Sequence, residues 1–177
     1  MNAPLLILLM LSVPSYLLRE LAEKAQSLVP IMKVIDLYDE SGMIDELPVR
    51  PPVSLSIARV SSPYGYRKDP ITGHGTFHTG IDYACSLATS VVASASGEVV
   101  YVGEKGGYGK CIIIQHRYGF RTLYAHLAEY YVRKGVVIPA GKVIGFVGTT
   151  GRSTGYHVHF EVRKNNLPVK PFFYNEK

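Results

Sequence analysis

The 177-residue chain is 47% hydrophobic and 19% charged, which argues against a disordered chain and against two full domains, and leaves room for one globular domain with an apolar core plus a modest extension. Its net charge of +5 is uneven: residues 1–60 carry five Lys/Arg against seven Asp/Glu, and residues 61–177 carry fourteen against seven. A basic second part suits any polyanion, but the Lys/Arg residues form neither a run nor a nucleic-acid-binding motif, so nucleic acid is not an expected partner.

The chain opens with a largely apolar stretch, APLLILLMLSVPSYLL over residues 3–18. It is short for a spanning helix, lacks a basic leader and has no small-x-small cleavage site, so it reads as an export signal, an uncleaved anchor, or the start of a helix. The helical reading continues into LLRELAEKAQSLV, where Leu17, Leu21, Ala25 and Leu28 recur at helical spacing and would pack on a partner surface. Residues 1–28 form this segment. Residues 29–57, with a VP pair, DLYDESG and VRPPVS, combine turn formers, acids and a proline pair that forbids regular helix, and read as a linker.

From about residue 58 the pattern is short strands separated by glycine turns, running through EVVYVG, EKGGYG, KCIIIQH, RYGF and RTLYAHL, a β-meander signature. KVIGFVG follows, then the Gly/Ser/Thr turn TTGRSTGY, then HVHFEVRKN. No internal repeat, heptad or low-complexity tract interrupts the segment. The two cysteines, Cys85 and Cys111, lack C-x-x-C spacing; buried thiols are favoured over a single disulfide, and no cysteine-rich metal module is indicated.

In HVHFEVR, period two places His157, His159, Glu161 and Arg163 on one face of a strand and Val158, Phe160 and Val162 on the other. Two imidazoles facing one way can serve a metal ion or proton transfer. Upstream, FHTGID sets His78 and Asp82 four apart across a glycine. Together the two segments offer two nitrogen donors and one oxygen donor, leaving a fourth tetrahedral position for water, as in a catalytic rather than a structural zinc site. In TLYAHL, alternation groups His126 with Thr122 and Tyr124 and makes it an inward-facing candidate. Spacing leaves open which histidine of HVH would bind the metal.

The segments SSPYGYRKDPITG, HTGID, GYGKCIIIQH, TLYAHL and STGYHVHFEVR, in this order over roughly residues 58–172, resemble the lysostaphin/LytM-type (β-lytic) zinc endopeptidases of bacterial cell wall. The resemblance implies a mainly β fold, one antiparallel β-sheet domain of duplicated-hybrid-motif type over residues 58–172 behind a short helical N-terminal extension, with residues 173–177 as a tail. It further implies one Zn2+ per chain held by His78, Asp82 and His159, catalytic roles for His126 and His157, peptidoglycan as substrate, a monomer, and a periplasmic or extracellular place in the cell envelope, with membrane contact only through an N-terminal anchor. Zinc would lower the pKa of its water toward about 7 and polarise the scissile carbonyl, and the histidines would handle the protons, since no H-E-x-x-H helix supplies a glutamate base. The same fold also suits a non-catalytic wall-binding or amidase-activator protein.

Outside this set, His74 and His116 read as surface or turn hydrogen-bonders, Glu161 as a partner of Arg163 or an acceptor behind the metal, and Cys85 as no ligand. The loop YGYRKDPITGHGTF, with Tyr64, Tyr66, Arg67 and Asp69, reads either as a groove wall or as a self-packed Ω-loop. The glycines of GTTGRSTG and of the 106–109 hairpin read as turn formers.

Overall fold

The computed structural model describes residues 15–31 and 41–173; most of the apolar opening stretch, part of the linker and most of the C-terminal tail lie outside the described residues. A short helix, α1 (Ser15–Lys24), and a 3-10 turn at Ser41–Glu46 precede thirteen strands. These are β1 (Arg59–Ser62), β2 (Gly65–Lys68), β3 (Gly75–His78), β4 (Ile81–Ala84), β5 (Ser90–Val92), β6 (Gly97–Glu104), β7 (Lys110–Gln115), β8 (Phe120–Ala125), β9 (Leu127–Tyr130), β10 (Val137–Ile138), β11 (Val143–Val147), β12 (His157–Lys164) and β13 (Leu167–Val169). The fold is mainly β and antiparallel, as expected, with a helix and a 3-10 turn at its N-terminal end and a further 3-10 turn at Gly106–Tyr108.

An eight-stranded sheet runs β1-β4-β12-β8-β7-β6-β10, with β13 on β12; β5-β11-β9 form a second sheet, and β2-β3 a separate ribbon. The predicted meander is the run β6-β7-β8, closed by tight turns at Gly106–Tyr108 and 117–119. The HVH strand, β12, then inserts between β8 and β4, so the most informative segment of the sequence lies in the middle of the large sheet.

That insertion is what two-faced patterning requires. Val158, Phe160 and Val162 are fully buried and join Tyr83, Ile112, Ile114, Tyr124, Val91, Ile144 and Val147 in one core cluster. Each such side chain contributes roughly 1.5–3 kcal/mol by leaving water, which fixes register, since a slip of one residue would turn the histidines into the core. The same cluster takes in Ala22, Ala25, Leu28, Ile31, Met43, Leu47, Val49 and Val53, so the described parts of the N-terminal segment and of the stretch read as a linker cover the back of the sheet. Leu17 stays 42% exposed.

Lys164, at the end of β12 and fully buried, reaches from the sheet to the end of α1. Its ammonium donates to Ala22 O at 2.9 Å, to Glu23 O at 3.0 Å and to Tyr118 O, satisfying carbonyls that a helix C-terminus leaves without partners. Among the described residues, no helix is long and apolar enough to cross a membrane. Both cysteines are free thiols, Cys111 buried and Cys85 partly so.

Candidate metal and catalytic site

The face of the large sheet opposite the core carries the polar residues of β12. Register brings the first group together: His159 pairs directly with Asp82 on β4, and directly opposed residues of an antiparallel pair have Cβ atoms about 5 Å apart. His78 closes β3 just before the turn that starts β4. Gly80 in that turn lies so close to β12 that a Cβ there would sit 2.4 Å from Phe160 O and 2.8 Å from His159 Cε1. The glycine of HTGID is therefore needed for close approach.

The result is a group of three buried donors whose ligand atoms all lie within 4.8 Å of one another. His159 Nδ1 is 2.7 Å from Asp82 Oδ1 and 3.0 Å from His78 Nε2, and His78 Nε2 is 3.2 Å from Asp82 Oδ1. The outer nitrogens are engaged elsewhere: His78 Nδ1 donates to Pro63 O at 2.8 Å, and His159 Nε2 to Glu161 Oε1 at 3.0 Å. With those hydrogens placed outward, two nitrogen lone pairs and a carboxylate converge, a set that a metal ion would satisfy and that, without one, a proton on His159 Nδ1 shared with Asp82 satisfies. The donor set of two imidazoles and one carboxylate suits zinc. Burial alone would push the His159 imidazole down, but its bonds to Asp82 and Glu161 and their charges raise it to about 9. Burial would raise the Asp82 carboxyl, yet His159 and His78 hold it well below the usual range.

Glu161 is fully buried. Its Oε1 accepts from Thr79 at 2.6 Å, Tyr108 at 2.9 Å and His159, and its Oε2 takes Arg163 at 2.6 and 2.7 Å. It is at once the partner of Arg163 and the acceptor that fixes the His159 tautomer. Thr79 and Tyr108 were not singled out from the sequence; their only signal is adjacency to His78 and to the glycine turn.

His126 reaches this face by a route that differs from strict alternation. Ala125 and Leu123 pair with His159 and Glu161, so they share the site face, whereas Tyr124 pairs with Phe160 in the core. Alternation would thus send His126 into the core with Tyr124. Instead His126 has φ +60, a left-handed residue between β8 and β9 that turns its ring onto the site face, 4.6 Å from the His157 ring. A non-glycine residue there costs of order 1–2 kcal/mol. Two loops hold it in place, as its backbone N–H donates to Tyr108 O at 2.9 Å and its Nδ1 to Thr150 O at 2.8 Å. Gly109 and Gly151, both at positive φ, let those loops touch, since a Cβ on Gly109 would sit 2.5 Å from Gly151 N and one on Gly151 2.3 Å from Gly109 N.

His157 donates from Nδ1 to Gly155 O at 2.8 Å, and its Nε2 lies 3.9 Å from Asp82 Oδ1. In both His126 and His157 the Nδ1 hydrogen is thus committed to a carbonyl and Nε2 is left bare. Burial, only partly offset by the bond to Thr150, lowers His126 to about 4, which keeps the ring neutral at pH 7.

A cleft of about 180 Å3 lies over these five residues and is also lined by Arg67, Tyr108 and Arg152. The YGYRKDPITGHGTF segment is the β2-β3 hairpin, whose tip is folded by Asp69 accepting from the N–H groups of Ile71 and Thr72 and is tied across the cleft to Arg152 at 2.6 Å. It is both self-packed and a wall. His74 is exposed, while His116 is buried, donating to Ser96 O at 2.9 Å and lying 2.7 Å from Thr122 Oγ1.

The profile of peptidase family M23 matches residues 76–171. Over 117 residues the chain is 52% identical to DD-carboxypeptidase/endopeptidase Mpg of Neisseria meningitidis, covering 66% of this chain and 27% of that protein. Among solved structures, a zinc-containing peptidase from Vibrio cholerae matches with TM-score 0.64 at 33% identity over 71% of this chain and 39% of that one. The catalytic domain of lysostaphin from Staphylococcus simulans matches with TM-score 0.56 at 34% identity over 59% and 79%. The chain spans about a quarter of the length of the curated relatives it matches.

Proposed function

The chain belongs to peptidase family M23, and on that premise we propose that it is a zinc-dependent peptidase hydrolysing peptide bonds of bacterial peptidoglycan in the cell envelope, acting as a monomer. His78, Asp82 and His159 are the metal ligands, and His126 and His157 the catalytic histidines. One observation carries the reading: each of the four histidines has one ring nitrogen committed to a fixed acceptor and the other left bare or turned to the shared carboxylate. A wall-binding role would require none of these tautomers, which argues against the non-catalytic alternative. The similarity to a DD-carboxypeptidase/endopeptidase supports a bond between D-amino acids as the one cut.

Bound zinc supplies Lewis acidity, which lowers the pKa of water and polarises the scissile carbonyl. The chain's own residues manage the protons. His126 or His157 accepts a proton at Nε2 from the attacking water as the water oxygen bonds to the carbonyl carbon. The imidazolium so formed is a charge-assisted donor to the developing oxyanion. Its proton then passes to the amide nitrogen as the C–N bond breaks, leaving a carboxylate and an amine. Buried Glu161 holds His159 in the tautomer that presents Nδ1, and Tyr108 O keeps the His126 backbone in its left-handed turn.

The test is mass spectrometry of fragments released from purified peptidoglycan, with zinc and with a chelator. Zinc-dependent release of peptides with new amino termini is expected. His159→Ala should lose both metal and activity, while His157→Ala should keep the metal and lose turnover. A fully active His157→Ala protein, or tight wall binding without any release on several wall types, would overturn the reading.

A further inference from the structure

Arg67, on β2, stands beside the proposed metal ligands with most of its hydrogen-bonding capacity unused. Its NH2 is 3.6 Å from Asp82 Oδ2, beyond hydrogen-bond distance. Its Nε is buried without a partner among the described residues, a state that costs stability unless a ligand or solvent supplies an acceptor. The other guanidinium that lines the cleft, that of Arg152, is engaged with Asp69 at 2.6 Å. Asp82 directs Oδ1 to the two histidines, so its charge is shared with them and, when bound, with the metal.

Arg67 also lies on the boundary between two concavities. It lines the cleft over the five site residues and a neighbouring depression of about 670 Å3, which Asp82 and His157 line as well. Arg59 and Lys68 line that depression, and Asp82 is the single acid among its lining residues. A peptide leaving the catalytic histidines in that direction therefore meets three cations. The planar fork of a guanidinium matches a carboxylate in two-point contact.

Resting on the peptidase reading above, we infer that Arg67 is a specificity-determining residue that binds a free carboxylate of the substrate close to the scissile bond, and that the enzyme selects peptides carrying one. A role confined to steadying Asp82 makes the opposite predictions about substrate and metal.

The experiment uses the full chain with zinc and two synthetic peptides that differ only in ending, after the scissile D,D bond, in a free carboxylate or a carboxamide. Wild type is expected to favour the acid by ~10- to 100-fold in kcat/KM, the range of one charge-assisted contact. Arg67→Gln should remove that preference, mainly by raising KM for the acid, with zinc content and amide cleavage unchanged, and Arg67→Lys should restore part of it. Equal wild-type cleavage of both peptides, an equal fall for both in Arg67→Gln, or loss of zinc would overturn the inference. Calorimetric binding of both peptides to His157→Ala separates the two readings: an Arg67-dependent preference for the acid without cleavage by wild type would refute the peptidase reading alone.

Discussion

Replacing Glu161 with glutamine keeps the volume of a fully buried side chain and changes only its hydrogen-bonding character. Glutamate is acceptor-only, and five donor contacts converge on it, from Thr79, Tyr108 and His159 at Oε1 and twice from Arg163 at Oε2. A glutamine has one acceptor oxygen. If that oxygen stays with His159, the amide hydrogens point at the Arg163 guanidinium; if it turns to Arg163, they point at His159 Nε2–H. In either case a buried charge-assisted bond, worth about 1.5–3 kcal/mol, is exchanged for donor against donor. When the loss falls on His159, the ring loses the acceptor that holds Nδ1 toward Asp82 and His78, and since 1.4 kcal/mol is tenfold in a binding constant, zinc should bind ~10- to 100-fold more weakly. Competition against a chromophoric chelator measures the constant, and a thermal melt of the same preparation checks that the fold is retained. A zinc affinity within about threefold of wild type in a folded Glu161→Gln protein would show that the contact does not orient the ligand.

Gly80→Ala should act through sterics at the same place. The new methyl would meet Phe160 O at 2.4 Å and His159 Cε1 at 2.8 Å, so β4 must move from β12, costing about 1–3 kcal/mol in stability and weakening zinc retention on gel filtration; unchanged melting and metal content would refute this. His116 predicts a pH dependence of folding. Burial, opposed by the bond to Ser96, lowers it from 6.5 to about 4, so the unfolded chain binds a proton that the folded one refuses. Its contribution is fully present above pH 6.5, declines as the pH falls toward 4, and amounts to roughly 3 kcal/mol across that window. Urea titrations at pH 7 and pH 4.5 should show a smaller pH-dependent loss for His116→Gln than for wild type, and an equal loss would refute the assignment.

The residues gathered in the cleft were legible in part from local rules and in part from the family resemblance. HVHFEVR alternates strictly, and a strand with one apolar face presents its histidines together wherever it is placed; β12 does so in the middle of the large sheet. HTGID was legible as a pair but not as a geometry, since nothing local shows that Gly80 is required by Phe160 and His159, residues 80 and 79 positions away. The case of His126 is different. The resemblance of TLYAHL to a known family singled it out, whereas alternation alone groups it with core-facing Tyr124, and only a left-handed backbone held by Tyr108 O and Thr150 O turns it to the site.

By itself, then, the sequence determined the strand periodicity and the β class, because period-two burial and glycine turns act over a few residues, while the five side chains of the cleft were named by its resemblance to the lysostaphin/LytM-type family. Tertiary structure alone decided the rest: the pairing of His159 with Asp82, the contacts of Thr79 and Tyr108 to buried Glu161, the burial of His116, the open guanidinium of Arg67, and the packing of Ala22 through Val53 against the back of the sheet. These contacts join segments tens of residues apart, and their partners are chosen by register and core packing, which no local pattern encodes.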